Sequence, residues 1–159
     1  MINNEHIKQL TLSQMEIMTI IELNSLLSGI LNIKYELDNF VRKADISIQL
    51  AKELSAKYYT LLSNINQCLH TINNIVKTCK RDVKFHYSDV INKAVGSESA
   101  KRRIADNDSN YLNLSDVLQN AELLKLYIVN LKDEIYDAHK YTKMVYQKEV
   151  ELFLGTPNQ

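Results

Sequence analysis

The stretch "AKELSAKYYTLLSNINQCLHTINNI", residues 51–75, decides the architecture. Its apolar residues Ala51, Leu54, Tyr58, Leu61, Ile65, Cys68, Ile72 and Ile75 follow one another in alternating steps of three and four. Such a 3.5-residue period marks a helix packed as a coiled coil, because only an under-wound pair keeps the seam against its partner over many turns. From Val76 the seam moves by one position, to Val76, Val83, Tyr87, Val90 and Ala94. That shift has the form of a stutter, which unwinds the supercoil locally without ending the helix. A long helix is therefore expected over 44–95.

Downstream, Gly96 and Ser97 stop this helix and start another, glycine tolerating a left-handed helix end and serine capping the next helix. A short helix is expected near 98–106. The asparagine- and aspartate-rich run at 106–113 reads as a loop or a cap, since these side chains compete for backbone hydrogen bonds. A second regular seam runs through Leu114, Val117, Ala121, Leu124, Ile128, Leu131, Ile135, Ala138, Thr142, Val145 and Leu152, interrupted only by Glu149. It predicts a helix over 114–154. Two seams of matching period on either side of a segment rich in capping signals predict an antiparallel helical hairpin.

Upstream, Thr11-x-x-Gln14 and Ser13-x-x-Glu16 read as capping boxes that open a further helix, placed at 11–43. Ile20, Leu23, Leu27, Ile30, Leu37, Val41 and Ala44 form its stripe, and Ile17, Ile21, Leu26, Ile33 and Phe40 fill the flank. A helix apolar over so much of its girth needs cover on more than one side, and in a chain this small the second cover is expected from another subunit. The tail "GTPNQ" joins a glycine stop to a proline block and should fray.

The 159 residues, 45% hydrophobic with three glycines, one proline and no tryptophan, suit a single all-α domain spanning 1–159 and lack the turn-formers a sheet fold needs. Cys68 and Cys79 are too few for a disulfide framework. On one straight helix they lie about 16 Å apart along the axis, which rules out a bridge between them. Both read as small apolar fillers. No leader peptide is recognisable, and a reducing, cytoplasmic location is expected, the host cytoplasm if the chain is viral. The most apolar run, 17–33, carries Glu22, Asn24 and Asn32, and an acidic side chain at mid-bilayer costs about 2.5–3.5 kcal/mol, so no membrane span is expected.

A net charge of zero hides an uneven layout. Residues 1–76 sum to −1 and residues 104–159 to −4, whereas residues 77–103 sum to +5. The basic block comprises Lys77, Lys80, Arg81, Lys84, Lys93, Lys101, Arg102 and Arg103. In a hairpin these side chains gather at the closed tip. There they are either ordinary solvated charge or a grip on a polyanion that neutralises phosphates without reading bases. Phe85, Tyr87 and Tyr111 lie nearby, and unpaired bases stack on aromatic platforms. Tyr87 falls on the seam and reads as core, which leaves Phe85 as the stacking candidate.

No phosphate-binding glycine loop, nucleophile elbow, zinc motif or paired CxxC occurs, and His6, His70, His86 and His139 are scattered. His86 with Asp89 and His139 with Asp137 read as solvated pairs. The chain is expected to be no enzyme and to need no metal or cofactor.

Ser97-Glu98 leading to Lys101-Arg102-Arg103, then Ala105, Asp106 and Tyr111, then a regular helix through Ala121 and Glu122, resembles the UvsY-like recombination mediators of bacteriophages. The resemblance covers roughly 44–150, and the helix at 11–42 has no counterpart in it. It implies a non-enzymatic protein that forms a ring-like homo-oligomer, binds single-stranded DNA and helps a recombinase filament replace single-strand binding protein. It assigns DNA contact to Lys80, Arg81, Lys84, Lys101, Arg102 and Arg103, and the basic block adds Lys77 and Phe85. Because the whole chain is neutral, several weak patches would have to act together on one oligomer. The alternative is a helical adaptor or inhibitor that docks another protein on the apolar flank of the first helix.

Overall fold

The computed structural model describes residues 14–43 and 47–154, with side chains described for 21–41 and 47–148. It is all-helical, with no strand among the described residues. These residues form four successive helices: α1 (Gln14–Lys43), α2 (Ile48–Lys93), α3 (Glu98–Asp106) and α4 (Ser109–Leu154). The expected capping boxes at Thr11 and Ser13, the side chains of Ile17, Ile20, Ala44, Glu149 and Leu152, and the tail at 155–159 lie outside the described residues. No helix among the described residues is long and apolar enough to cross a membrane.

Two starts differ from expectation, each for a local reason. Helix α2 begins at Ile48, where the Ser47 hydroxyl accepts the Leu50 N–H at 3.3 Å and the Ser47 carbonyl accepts that of Ala51 at 2.8 Å. Helix α4 begins at Ser109, five residues before the expected 114. Asp108 caps it, its Oδ1 accepting the Tyr111 N–H at 2.9 Å and its carbonyl accepting that of Leu112 at 3.0 Å. The break between α3 and α4 shrinks to Asn107 and Asp108, where the run at 106–113 had read as a loop or a cap. Helix α2 is continuous through Val76, where the seam shifts by one position.

The chain packs as two compact units. One comprises Glu22–Leu69 and Ile128–Gln159. Leu23, Leu27, Ile30 and Leu37 of α1, the α2 seam from Ala51 to Cys68, and Ile128, Leu131, Ile135 and Thr142 of α4 are all buried in it. Burying one such aliphatic side chain is worth about 1.5–3 kcal/mol, so this core carries most of the unit's stability. Polar contacts join the three helices in pairs. Tyr58 donates to Asp38 Oδ1 at 2.8 Å, Lys34 meets Glu134 Oε2 at 3.2 Å, and His139 Nδ1 lies 3.0 Å from the Ser55 carbonyl. His139, expected as a solvated side chain, thus makes a cross-helix contact instead. Buried Thr142 satisfies its hydroxyl on the Ala138 and His139 carbonyls, so it fills a seam position without a stranded donor.

The other unit comprises Met1–Ile21 and His70–Tyr127. Ile72, Ile75, Val76 and Cys79 of α2 and Val117 and Ala121 of α4 are buried here. Further along α2 and just past its end the apolar cover thins: Val83, Tyr87, Val90 and Ala94 are only half-buried, and Ala105 is the one buried residue of α3. Gly96 supplies the turn at φ 129°, a conformation that side chains other than glycine rarely adopt. Ser97 then caps α3 by accepting the Ala100 N–H at 3.4 Å.

Candidate nucleic-acid interface

Helical geometry sorts the basic block. At about 100° per residue, Lys77, Arg81 and Lys84 fall within an arc of about 60° and span about 10 Å of helix length. All three are exposed. Phe85 lies one turn beyond Arg81 and is 75% exposed, uncommon for so large an apolar side chain on a helix that buries its own seam. These four residues make one continuous face of α2, turned away from the seam.

The remaining cations are placed differently. Lys80 lies on the flank towards α4, where Glu122 holds its Nζ at 2.8 Å. Arg81 donates from Nε and Nη2 to Asp82 Oδ1, both at 3.2 Å, and Lys93 reaches Asp89 Oδ2 at 2.6 Å. Exposed pairs of this kind contribute about 0–1 kcal/mol and yield readily to a phosphate. On α3, Arg102 and Arg103 are exposed and Lys101 is half-buried. Among the described residues, Lys77, Lys84, Lys101, Arg102 and Arg103 form no ion pair.

A polar clasp ties the α3–α4 junction to α2 within a turn of Lys84. His86 Nε2 lies 2.8 Å from Asp108 Oδ1, which also accepts the Tyr111 N–H. Asp108 therefore serves α2 and α4 together; His86, expected as a solvated side chain, is bonded to it, while Asp89 is held by Lys93. The Tyr111 N–H and the His86 ring hold the Asp108 carboxyl below its ordinary value. Tyr87 donates to Asp106 Oδ1 at 3.2 Å, and its ring meets that of Tyr111 at 5.0 Å between centroids. Desolvation, then the Asp106 carboxylate, raises the Tyr87 hydroxyl, while the charge of Arg102 works against them.

Sequence reasoning missed His86, Asp106 and Asp108 as positioning residues. The only available signal was the density of capping residues around 106–113, and it does not reveal a partner on α2. Tyr87, expected as core, is half-buried, its ring packed on Tyr111 and its hydroxyl bonded to Asp106.

Among the described residues no group of histidine, cysteine and carboxylate side chains could hold a metal ion. Cys68 and Cys79 are buried, and burial pushes the Cys68 thiol up to about 11, which leaves it a poor nucleophile. Comparison with protein-family models, with curated proteins and with solved structures finds no match.

Proposed function

We propose that the chain is a non-enzymatic, homo-oligomeric protein that binds single-stranded DNA along the exposed face of α2. In recombination it would act as an accessory that helps load a recombinase in place of single-strand binding protein, as the UvsY-like resemblance implies. The observation that carries the reading is the shared face of Lys77, Arg81 and Lys84, with exposed Phe85 at its end. Three cations spread over about 10 Å fit successive phosphates of an extended strand, and an exposed phenyl ring offers a stacking surface that a paired base cannot use.

An antiparallel arrangement of α2 and α4 is part of this proposal. Its support is the order of cross-helix partners: Ser55 with His139, Lys80 with Glu122, and His86 with Asp108, one number rising as the other falls. Assembly into an oligomer is favoured by the exposed flank of α1, where Ile21, Ile33 and Phe40 lie uncovered. The same flank supports the second reading, an adaptor or inhibitor that docks another protein.

Fluorescence anisotropy with labelled oligo-dT at two salt concentrations tests the DNA reading. Binding should weaken with salt at a slope of about −0.7 per phosphate neutralised. Lys77→Ala, Arg81→Ala and Lys84→Ala together should flatten that slope, and Phe85→Ala should weaken binding while leaving the slope unchanged. Absence of binding even at low salt removes this reading and leaves the adaptor.

A further inference from the structure

In the unit of Glu22–Leu69 and Ile128–Gln159, an open groove of about 380 Å³ is lined by Val41, Tyr58, Ala138 and Tyr141 together with the carboxylates of Glu134 and Asp137. Tyr141 is 48% exposed, so the groove presents apolar surface to solvent. Its cationic complement is already committed, because Lys34 Nζ is held by Asp38 at 2.7 Å and by Glu134 at 3.2 Å. Asp133 and Asp137 are exposed, and among the described residues neither forms an ion pair. The site therefore couples apolar surface with a net negative lining, the carboxylates of Asp38, Glu134 and Asp137 against the one ammonium of Lys34. That combination repels phosphate and suits a cationic, aromatic-bearing helix.

The chain itself carries such a helix. Lys77, Arg81 and Lys84 rise by four and three residues with Phe85 beside them, and Asp133, Asp137 and Tyr141 rise by fours along α4. The two faces match in length, at about 10–12 Å, and oppose each other in charge. The segregation of +5 in 77–103 from −4 in 104–159 within a neutral chain favours contact between unlike ends of different copies.

We propose that this groove is a docking site for the α2 basic face of a second copy of the chain, with Phe85 entering the groove and Lys77, Arg81 and Lys84 facing Asp133, Glu134 and Asp137. The contact goes beyond the DNA-binding reading and does not depend on it. Where both hold, DNA and the groove compete for one face, and self-association keeps that face covered until a strand is present.

Cross-linking between full-length copies tests the contact. One tagged copy carries Ser88→Cys, one turn beyond Lys84, and the other carries Met144→Cys, one turn beyond Tyr141; both positions are exposed. A short bismaleimide should join them at low salt, whereas Cys68 and Cys79 stay unreactive because they are buried. K77E, R81E and K84E in the first copy should reduce the yield about tenfold, and D133K with D137K in the second should restore it. Circular dichroism of each variant checks that its helices persist. Equal capture of a copy bearing Tyr59→Cys, an exposed position elsewhere on α2, would overturn the proposal. So would a yield indifferent to charge reversal, or one that the reciprocal charges fail to restore. Oligo-dT binding by D133K/D137K, whose α2 face is intact, reports on the DNA reading separately.

Discussion

The two units of this protein differ in how far apolar burial reaches. Around Leu54, Tyr58 and Ile135, three helices bury aliphatic side chains almost completely, and polar contacts only pin the helices in register. Between Val83 and Val117 the order is reversed: Ala105 is the only buried side chain in that interval, and the helices are joined by Tyr87 with Asp106, His86 with Asp108 and a tyrosine pair. Apolar burial is insensitive to salt and to moderate pH, whereas exposed hydrogen bonds open locally at small cost. The basic face of α2 begins beside buried Val76 and Cys79 and runs into the second kind of region at Lys84 and Phe85. A surface meant to meet a partner is commonly built where local opening is cheap, while the stability of the fold is supplied elsewhere.

Core truncation breaks the comparison hardest. Leu54→Ala should cost about 2–5 kcal/mol in urea denaturation, while Val90→Ala, at a half-buried position, should cost about 1 kcal/mol or less. Equal losses at the two sites would mean that the unit around α3 is as tightly packed as the other. Next in size is Gly96→Ala. A methyl group there would meet only Ala100 Cβ, at 3.4 Å, so the expected loss of about 1–3 kcal/mol comes from the backbone at φ 129°.

Titration sharpens the contrast with a smaller effect. The Asp108 carboxyl is lowered in the fold, so its contribution is complete above the ordinary carboxylate range and is lost as pH falls through its depressed value. In the other unit, Tyr58 is raised by burial and by the Asp38 carboxylate, and its contribution is lost as pH climbs above about 10. Lys34 behaves alike above its ordinary value of 10.5, since the hydrogen bonds and charges of Asp38 and Glu134 outweigh the burial that works to lower it. Tyr87 is raised too, so alkali weakens both units, and acid should loosen the clasp. Tyrosine fluorescence followed from pH 6 into acid should change less in Asp108→Asn, and an unchanged acid transition in that variant would remove Asp108 from the explanation.

Much of this was legible in the sequence. All eight residues of the 51–75 seam are buried, as are Val117, Ala121, Ile128, Leu131, Ile135 and Thr142 of the α4 seam, because period and burial share one geometric cause. The Gly96–Ser97 break was legible for the same kind of local reason. The starts of α2 and α4 were not. Ser47 and Asp108 each compete with neighbours of similar capping strength, and a bond to an N–H three residues away leaves no periodic trace. Pairings between helices were hidden as well: nothing local tells His86 to choose Asp108 over Asp89, or Lys80 to choose Glu122. The basic block was visible as composition, but its division into an exposed face at Lys77, Arg81 and Lys84 and a flank at Lys80 tied to Glu122 required the helix geometry.

Native-state hydrogen exchange with and without oligo-dT tests the central claim most directly, since it reads local stability and binding in one experiment. Without DNA, amides at 83–112 should exchange by local opening, while those at 54–68 and 128–138 exchange only on global unfolding. Adding oligo-dT at low salt should slow exchange within 77–111 and leave the three-helix core unchanged. Uniform protection along α2 without DNA, or DNA-induced protection centred on 54–68 rather than on the basic face, would contradict the account.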